Sequence, residues 1–213
     1  MAEFAKQLDI RPGVTAIIGG GGKTTLLYRL ARELSEDRSV IVATSTHIFR
    51  PEDIPCFLRT EKVKGLACVG TPCENGKLTA PEQPFEELAR LADYVLVEAD
   101  GAARRPLKAH EAHEPVIPQN ANQVIAVVGA SGIGAPVEEV AHRSARFSAL
   151  SGQTIATPAA IAAVLNKERL HDRVLINQAD TPERLSAAKE LAALLNCPVV
   201  IASLQKGEIL CSF

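Results

Sequence analysis

Four consecutive glycines, Gly19 to Gly22, constrain the fold of this chain more than any other feature. The apolar, β-branched run 14–18 before them predicts a strand. After them, leucine and alanine recur at 26, 27, 30, 31 and 34, which is the spacing of one helix face. The segment therefore predicts a strand, a tight loop and a helix in direct succession.

The loop has the composition of a phosphate site. Backbone N–H groups converge on an anion only where no side chain blocks the approach, and the first turn of a helix adds unpaired donors. We predict Lys23 at the terminal phosphates and the Thr24 hydroxyl on Mg²⁺. The longer G-x-x-x-x-G-K-T spacing would need a glycine at Ile17, so only the shorter G-x-x-G-K-T form fits. The residues predicted to hold the nucleotide here are Gly19, Gly20, Gly21, Gly22, Lys23, Thr24 and Thr25.

Two carboxylates follow an apolar strand further along the chain. Glu98 and Asp100 are two residues apart, so on an extended backbone they point the same way. A Mg²⁺-nucleotide site needs a carboxylate opposite the loop, and we predict both residues as metal-site and catalytic groups. A solvated strand end is the alternative. Arg104 is a candidate for stabilising transition-state charge, with Arg105 and Lys108 as further cations, although basic surface loops are equally common.

A base-binding site is suggested near the end of the chain. Asn177 and Asp180 stand just past a predicted strand, at the spacing of the guanine-reading N-K-x-D motif. An aspartate there would accept hydrogen bonds from guanine N1 and N2 donors, which adenine lacks. Gln178 replaces the lysine of the motif, so ATP and GTP both stay open as the cofactor that accompanies Mg²⁺. The same residues also suit a loop that enters a helix.

Short apolar strands alternate with helical patterns along the chain. Parallel neighbours need crossover helices, so the alternation predicts a P-loop NTPase-like α/β fold, a mostly parallel sheet with helices on both faces. The length fits a single domain over 1–213, with an irregular insertion or lid around 51–84. The remaining predicted strands are 39–43, 66–69, 94–97, 124–128, 174–176 and 198–202, and the predicted helices are 82–92, 136–150, 158–165 and 182–195.

Composition argues against several classes of protein. The net charge of −2 gives no electrostatic case for nucleic acid or an anionic membrane as partner. No apolar run approaches the ~18 residues that span a bilayer, and the first residues are too polar for a signal peptide. The five cysteines are an odd number, which argues against a disulfide framework. We expect a cytoplasmic protein.

Several segments together carry a family resemblance. The segments IIGGGGKTT, VATSTHIF, VEADGAARRPLKAHEAHEPVIP, VVGASGIG with the following His142-Arg143, and LINQAD resemble the YqeC family of accessory proteins for selenium-dependent hydroxylases. The resemblance implies a P-loop NTP-binding fold and a role in maturing selenium-dependent molybdenum hydroxylases, with such an enzyme or its cofactor as partner. It also places Lys108, Glu114 and Pro115 on family motifs. His110 and Gln178 depart from the family pattern.

These observations predict a Mg²⁺-dependent nucleoside triphosphate-binding protein that hydrolyses ATP or GTP. Two other classes stay open. The short loop also resembles that of amide-forming Mur ligases, which leaves a small-molecule kinase or an ATP-dependent ligase. A non-catalytic, nucleotide-gated module that docks a partner enzyme is the third class.

Overall fold

The computed structural model of the chain describes residues 3–213. Within that range the chain alternates between strands and helices. The strands are β1 (Gly13–Gly19), β2 (Val40–Thr44), β3 (His47–Phe49), β4 (Cys56–Phe57), β5 (Leu66–Val69), β6 (Thr71–Cys73), β7 (Lys77–Thr79), β8 (Tyr94–Glu98), β9 (Leu107–Lys108), β10 (Ala121–Gly129), β11 (Ala141–His142), β12 (Arg173–Asn177), β13 (Val199–Ser203) and β14 (Glu208–Ser212). The helices are α1 (Glu3–Gln7), α2 (Lys23–Leu34), α3 (Phe85–Leu91), α4 (Val137–Val140), α5 (Ser144–Ser151), α6 (Pro158–Glu168) and α7 (Pro182–Ala192).

The predicted α/β class with mostly parallel strands is confirmed, and so are β1 and α2 around the glycines. Differences lie mainly at element ends. The helical pattern predicted over 136–150 is broken, because Arg143 adopts a left-handed backbone with φ 62° between α4 and α5. Helix α1 and strand β14 have no counterpart in the prediction, since neither segment carries a strong apolar period.

The described chain divides into two compact units. The first contains the described residues up to Ile18, together with Thr24–Gly101 and Val116–Val124. The second contains Gly19–Lys23, Ala102–Pro115 and Ile125–Phe213. Each unit is assembled from separate stretches of chain, and the single domain over 1–213 stays a prediction.

The first unit is built on a parallel sheet with strand order β1-β8-β2-β5-β4. Because the strands are parallel, the carboxyl ends of β1, β8 and β2 lie at the same edge. In the register, Glu98 at the end of β8 pairs with Ile17 on one side and Thr44 on the other. The sheet thereby brings the ends of three strands that are distant in sequence together.

Helices cover both faces of this sheet. On one face, Leu88 of α3 packs against alternate residues of the strands, among them Val97 of β8. On the other face, Thr24 of α2 donates a hydrogen bond to Glu98, which follows Val97 in β8. Successive strand residues point to opposite faces, so these contacts lie on different sides of the sheet. The buried cluster on the α3 face comprises Val14, Ile41, Ala43, Val63, Ala67, Val69, Leu88, Val95 and Val97.

The segment predicted as an insertion at 51–84 belongs to the first unit. It contributes β4 and β5 to the edge of the parallel sheet. It also supplies β6 and β7, which pair with β3 in a small antiparallel sheet of order β3-β7-β6. The segment is thus more regular than its proline and glycine content indicates, and a role as a lid stays a prediction.

The second unit carries a parallel array of β10, from Ile125 onward, with β12 and β13. Strand β14 adds antiparallel to β13, and the short strands β9 and β11 pair in parallel. Helix α7 contacts β13 and begins as predicted, with Pro182 at its first turn and the Thr181 hydroxyl accepting a hydrogen bond from the Arg184 amide. No helix within residues 3–213 is long and apolar enough to cross a membrane.

Candidate functional site

The glycine loop has a backbone that other residues cannot adopt easily. Gly19 has φ 95° and Gly21 has φ 78°, both in the left-handed region. A Cβ on Gly19 would lie 2.3 Å from the Val127 carbonyl oxygen, and one on Gly21 would lie 2.4 Å from the Gly129 nitrogen. Glycine is therefore required at both positions by conformation and by space.

The amides at the start of the loop are engaged by the protein itself. The Gly20 amide donates to the Val127 carbonyl at 2.9 Å, and the Gly21 amide donates to the Arg105 carbonyl at 3.1 Å. The donors at the beginning of α2 differ, because the first N–H groups of any α-helix have no partner within the helix. The first turn of α2, which contains Thr24 and Thr25, therefore has the N–H groups without a partner in the helix, and phosphate binding there stays a prediction.

Lys23 is folded along the loop. Its side chain is buried, with the residue 5% exposed, and Nζ donates to the Gly19 carbonyl at 2.8 Å. A buried ammonium held against the loop carries its positive charge beside the glycines instead of in solvent. The contact of Lys23 with the terminal phosphates of a nucleotide stays a prediction.

Thr24 and Glu98 form a hydrogen bond within the first unit. The Thr24 hydroxyl donates to Glu98 Oε2 at 2.7 Å, although the residues are 74 positions apart. The Thr44 hydroxyl donates to the main-chain carbonyl of Glu98 at 2.8 Å and holds the end of β8. Glu98 is 6% exposed and Asp100 is 1% exposed. The carboxylates are therefore buried, unlike those of a solvated strand end.

The Thr24 and Glu98 oxygens suit Mg²⁺ chemically. Mg²⁺ prefers oxygen ligands and keeps several waters, so a threonine hydroxyl and one or two carboxylates suffice beside substrate phosphates. No cluster of three or more His, Cys, Asp or Glu side chains that could hold a metal occurs in the described part of the chain. A magnesium ion at Thr24 would accordingly depend on phosphate and water for its other ligands.

The loop after β8 contains strained backbone. Ala103 and Arg104 both have positive φ, 47° and 60°, in a region that residues with a Cβ seldom occupy. Arg104 is exposed, whereas Arg105 is half-buried and donates from Nη1 to the Glu138 carbonyl at 2.5 Å. The two arginines therefore differ. The Arg105 guanidinium is hydrogen-bonded within the second unit, whereas Arg104 is exposed to solvent.

An ion cluster lies in the second unit and joins the buried Lys108, the partly buried Glu114 and the exposed Arg143. Arg143 donates to both carboxylate oxygens of Glu114 at 3.2 Å, and Lys108 Nζ lies 3.4 Å from Oε1. Burial alone would raise the pKa of Glu114, but the Arg143 hydrogen bonds and the Lys108 charge lower it to about 2. The family resemblance included all three residues, but no spacing in the sequence showed that their side chains meet.

Asn177 connects the glycine loop to the last parallel strand of the second unit. Its Nδ2 donates to the Gly21 carbonyl at 2.8 Å, and its Oδ1 accepts from the Leu204 amide at 2.9 Å. Both polar atoms of the side-chain amide are therefore hydrogen-bonded to backbone groups. Its role as a direct base contact stays a prediction, whereas its contact with the loop is a finding that sequence reasoning did not provide.

Asp180 is placed differently from Asn177. Its carboxylate accepts a hydrogen bond from the Ser203 hydroxyl, and its side chain is 26% exposed. Gln178 has a left-handed φ of 65° and accepts from the Ser131 hydroxyl at 2.6 Å. The aspartate thus has two neighbours, the Ser203 hydroxyl and Arg184 Nη1 at 3.9 Å from Oδ2, while part of its side chain remains accessible to solvent.

Comparison with known proteins identifies the family. The family model described as YqeC protein matches residues 15–145. The chain belongs to the YqeC family. The Escherichia coli K12 relative, described as uncharacterized protein YqeC, is 36% identical over 160 residues, which is 68% of this chain and 62% of that relative. The YqeC match contains the glycine loop and both carboxylates but ends before Asn177.

Among solved structures, the chain is similar to the hydrogenase maturation factor HypB from Archaeoglobus fulgidus. The TM-score is 0.46 at 15% identity, and the match covers 92% of this chain and 82% of the other. The fold described above is established by the strands, helices and registers of this chain alone.

Proposed function

We propose that this chain binds a nucleoside triphosphate with Mg²⁺ at the glycine loop and hydrolyses it in the service of a partner enzyme. The observation that carries the proposal is the 2.7 Å hydrogen bond from Thr24 to Glu98. It joins the hydroxyl that directly follows Lys23 to a buried carboxylate at the end of a neighbouring strand. Hydroxyl and carboxylate are the protein ligands that Mg²⁺-nucleotide sites use.

Each residue has a distinct task in this proposal. The amides at the start of α2 and the Lys23 ammonium hold the phosphates and balance their negative charge. Thr24 and Glu98 hold the cation, which when bound withdraws charge from phosphate oxygens. Asp100, at 1% exposure, orients the attacking water, and the exposed Arg104 adds positive charge in the transition state.

Replacing the loop lysine tests this proposal. Lys23→Ala is expected to abolish phosphate release from ATP and GTP while the circular dichroism spectrum stays that of the native protein. Lys62→Ala removes the same charge from an exposed position and is the matched control, with unchanged turnover expected. Undiminished turnover in Lys23→Ala would refute the proposed role of the loop.

The accessible carboxylate of Asp180 supports guanine as the base. Guanine presents two N–H donors to such a group, whereas adenine does not. Asp180→Asn should weaken GTP binding at least tenfold and leave ATP binding unchanged, as measured by calorimetric titration. Glu183→Gln, an exposed change nearby in the chain, is the control. Equal effects on ATP and GTP would contradict guanine selection.

We further propose a role in the maturation of a selenium-dependent molybdenum hydroxylase or its cofactor, as the resemblance of the sequence segments to that family of accessory proteins implies. The test is genetic. In the source organism, deletion of the gene should lower the selenium content of the purified hydroxylase, and plasmid-borne wild type, but not Lys23→Ala, should restore it. A hydroxylase with full selenium content in the deletion strain would exclude this role.

A further inference from the structure

Two cysteines of the first unit lie side by side on neighbouring strands. Cys56 of β4 and Cys68 of β5 are direct register partners in a parallel pair, and the Cys68 amide donates to the Pro55 carbonyl at 2.8 Å. Paired strands lie roughly 4.8 Å apart, and in-register partners point to the same face. Disulfides join Cα atoms separated by about 4.4–6.8 Å. The register alone thus brings the two residues within bonding range.

The two thiols differ in access to solvent. Cys68 is 0% exposed, whereas Cys56 is partly exposed and its Sγ donates to the Ile54 carbonyl at 3.3 Å. Burial raises the pKa of Cys68, and the neighbouring Cys56 thiol raises it further, while the positive charge of Arg50 partly opposes this. An oxidant from solution therefore meets Cys56 first, and Cys68 reacts only with a partner already beside it.

We propose that Cys56 and Cys68 are a reversible redox site, oxidised to an intramolecular disulfide by a small-molecule disulfide such as oxidised glutathione. The Cys56 thiolate attacks one sulfur of the oxidant, which forms a mixed disulfide and releases one thiolate. Cys68 then loses its proton and attacks Cys56 Sγ, forming the Cys56–Cys68 bond and releasing the second thiolate. Two electrons pass from the cysteines to the oxidant, and the two thiol protons go to the released thiolates.

The bond would attach the edge strand to its neighbour. Strand β4 is only two residues long and pairs with β5 in the parallel sheet. The disulfide would close the intervening loop, and loop closure stabilises a fold by restricting the unfolded chain. This site is independent of the nucleotide site, so either proposal can fail without the other.

Peptide mapping of the whole chain tests the pair. The protein is reduced with dithiothreitol, incubated with oxidised glutathione, alkylated with N-ethylmaleimide and digested for mass spectrometry. We expect a linked peptide pair through Cys56 and Cys68, with Cys73, Cys197 and Cys211 alkylated, and full reversal by dithiothreitol. Alkylation of all five cysteines, a glutathione adduct that persists on Cys56, or a different pairing would overturn the proposal.

Two cysteine variants test whether the Cys56–Cys68 bond forms independently of the other cysteines. The triple variant Cys73→Ser, Cys197→Ser, Cys211→Ser should still form the bond, and its melting temperature should rise by about 5 °C on oxidation. Cys56→Ser should remove both the linked peptide and the rise. Because the mapping uses the native chain, the proposal stays testable even where a cysteine variant folds poorly. A triple variant that stays reduced, or whose melting temperature does not move, would contradict it.

Discussion

At the scale of single residues, the candidate site depends on side chains that are buried yet polar. Lys23, Glu98 and Asp100 are each no more than 6% exposed. Burying charged groups is costly unless other groups compensate them, so buried charged side chains are paired with neighbouring groups or bind a ligand or metal. Thr24 contributes a hydroxyl to the candidate site, and a substitution can remove this hydroxyl with little change in side-chain shape.

Thr24→Val removes the hydroxyl and nearly preserves the side-chain volume. We expect Mg²⁺-dependent nucleotide affinity to fall at least tenfold, because the 2.7 Å hydrogen bond to Glu98 and one oxygen ligand are lost together. Thr24→Ser keeps the hydroxyl and should restore most of the affinity. Titration calorimetry with and without Mg²⁺ measures both. Equal affinity in Thr24→Val and wild type would rule out a metal role for this hydroxyl.

Glu114 makes a pH-dependent contribution to stability. Its folded-state pKa of about 2 lies below its ordinary value of 4.5, so the unfolded chain binds the proton more tightly. The stabilisation is fully present above pH 4.5 and is lost as the pH falls towards 2. Glu114→Gln should lower the free energy of unfolding at pH 7 by about 2 kcal/mol, since Lys108 and Arg143 lose their counter-charge.

Urea unfolding between pH 7 and pH 3 measures this effect. The difference between wild type and Glu114→Gln should shrink as the pH falls. Glu139→Gln, an exposed change in the same unit, should follow the wild-type profile. Parallel profiles for Glu114→Gln and wild type would show that the ion cluster does not set the acid stability.

At the scale of elements, the shape of the glycine loop depends on long-range contacts within the second unit. The loop contacts carbonyls from the segment before β9 and from β10, and it contacts the Asn177 side chain at the end of β12. Each contact uses a backbone group that would otherwise need water. The loop is therefore held by several elements that are remote in sequence.

Asn177→Ala tests how far the loop depends on this support. The change leaves the Gly21 carbonyl and the Leu204 amide without their partner, which should cost about 2 kcal/mol of unfolding free energy. Nucleotide affinity should fall as well, because the loop loses a fixed contact. Asn166→Ala removes a single exposed hydrogen bond and is the control, with a smaller loss expected. Equal losses of unfolding free energy in both variants would show that the two Asn177 hydrogen bonds contribute no more to stability than the single exposed hydrogen bond of Asn166.

At the scale of the whole molecule, the prediction concerns ligand-linked stability. A ligand that binds only the native state adds about 2.7 kcal/mol at a concentration one hundred times its Kd. For a chain of this length, that should raise the melting temperature by roughly 5–10 °C. A thermal-shift panel of ATP, GTP, ADP and GDP, with Mg²⁺ or EDTA, measures the effect. A melting temperature unmoved by any nucleotide, in a chain that remains folded, would contradict nucleotide binding.

The amino-acid sequence by itself determined the features that depend on local patterns. The glycines, the strand before them and the helix after them follow from steric freedom and apolar period within a short window, and the structure confirms β1 and α2. The same holds for helix α7, whose Thr181 cap and Pro182 start are local signals. Family segments likewise pointed to Lys108 and Glu114 without showing what they contact.

Only the tertiary structure decided which distant residues meet. The bond from Thr24 to Glu98, the Asn177 bridge and the register of Cys56 with Cys68 each join separate elements. Such pairings depend on strand order and register, which are set by how buried side chains pack across the whole sheet. Thr24 and Glu98 are 74 positions apart, and Gly21 and Asn177 are 156 apart, so no local window of sequence contains either pair. Cys56 and Cys68 are close in sequence, but their spacing does not reveal that they are register partners.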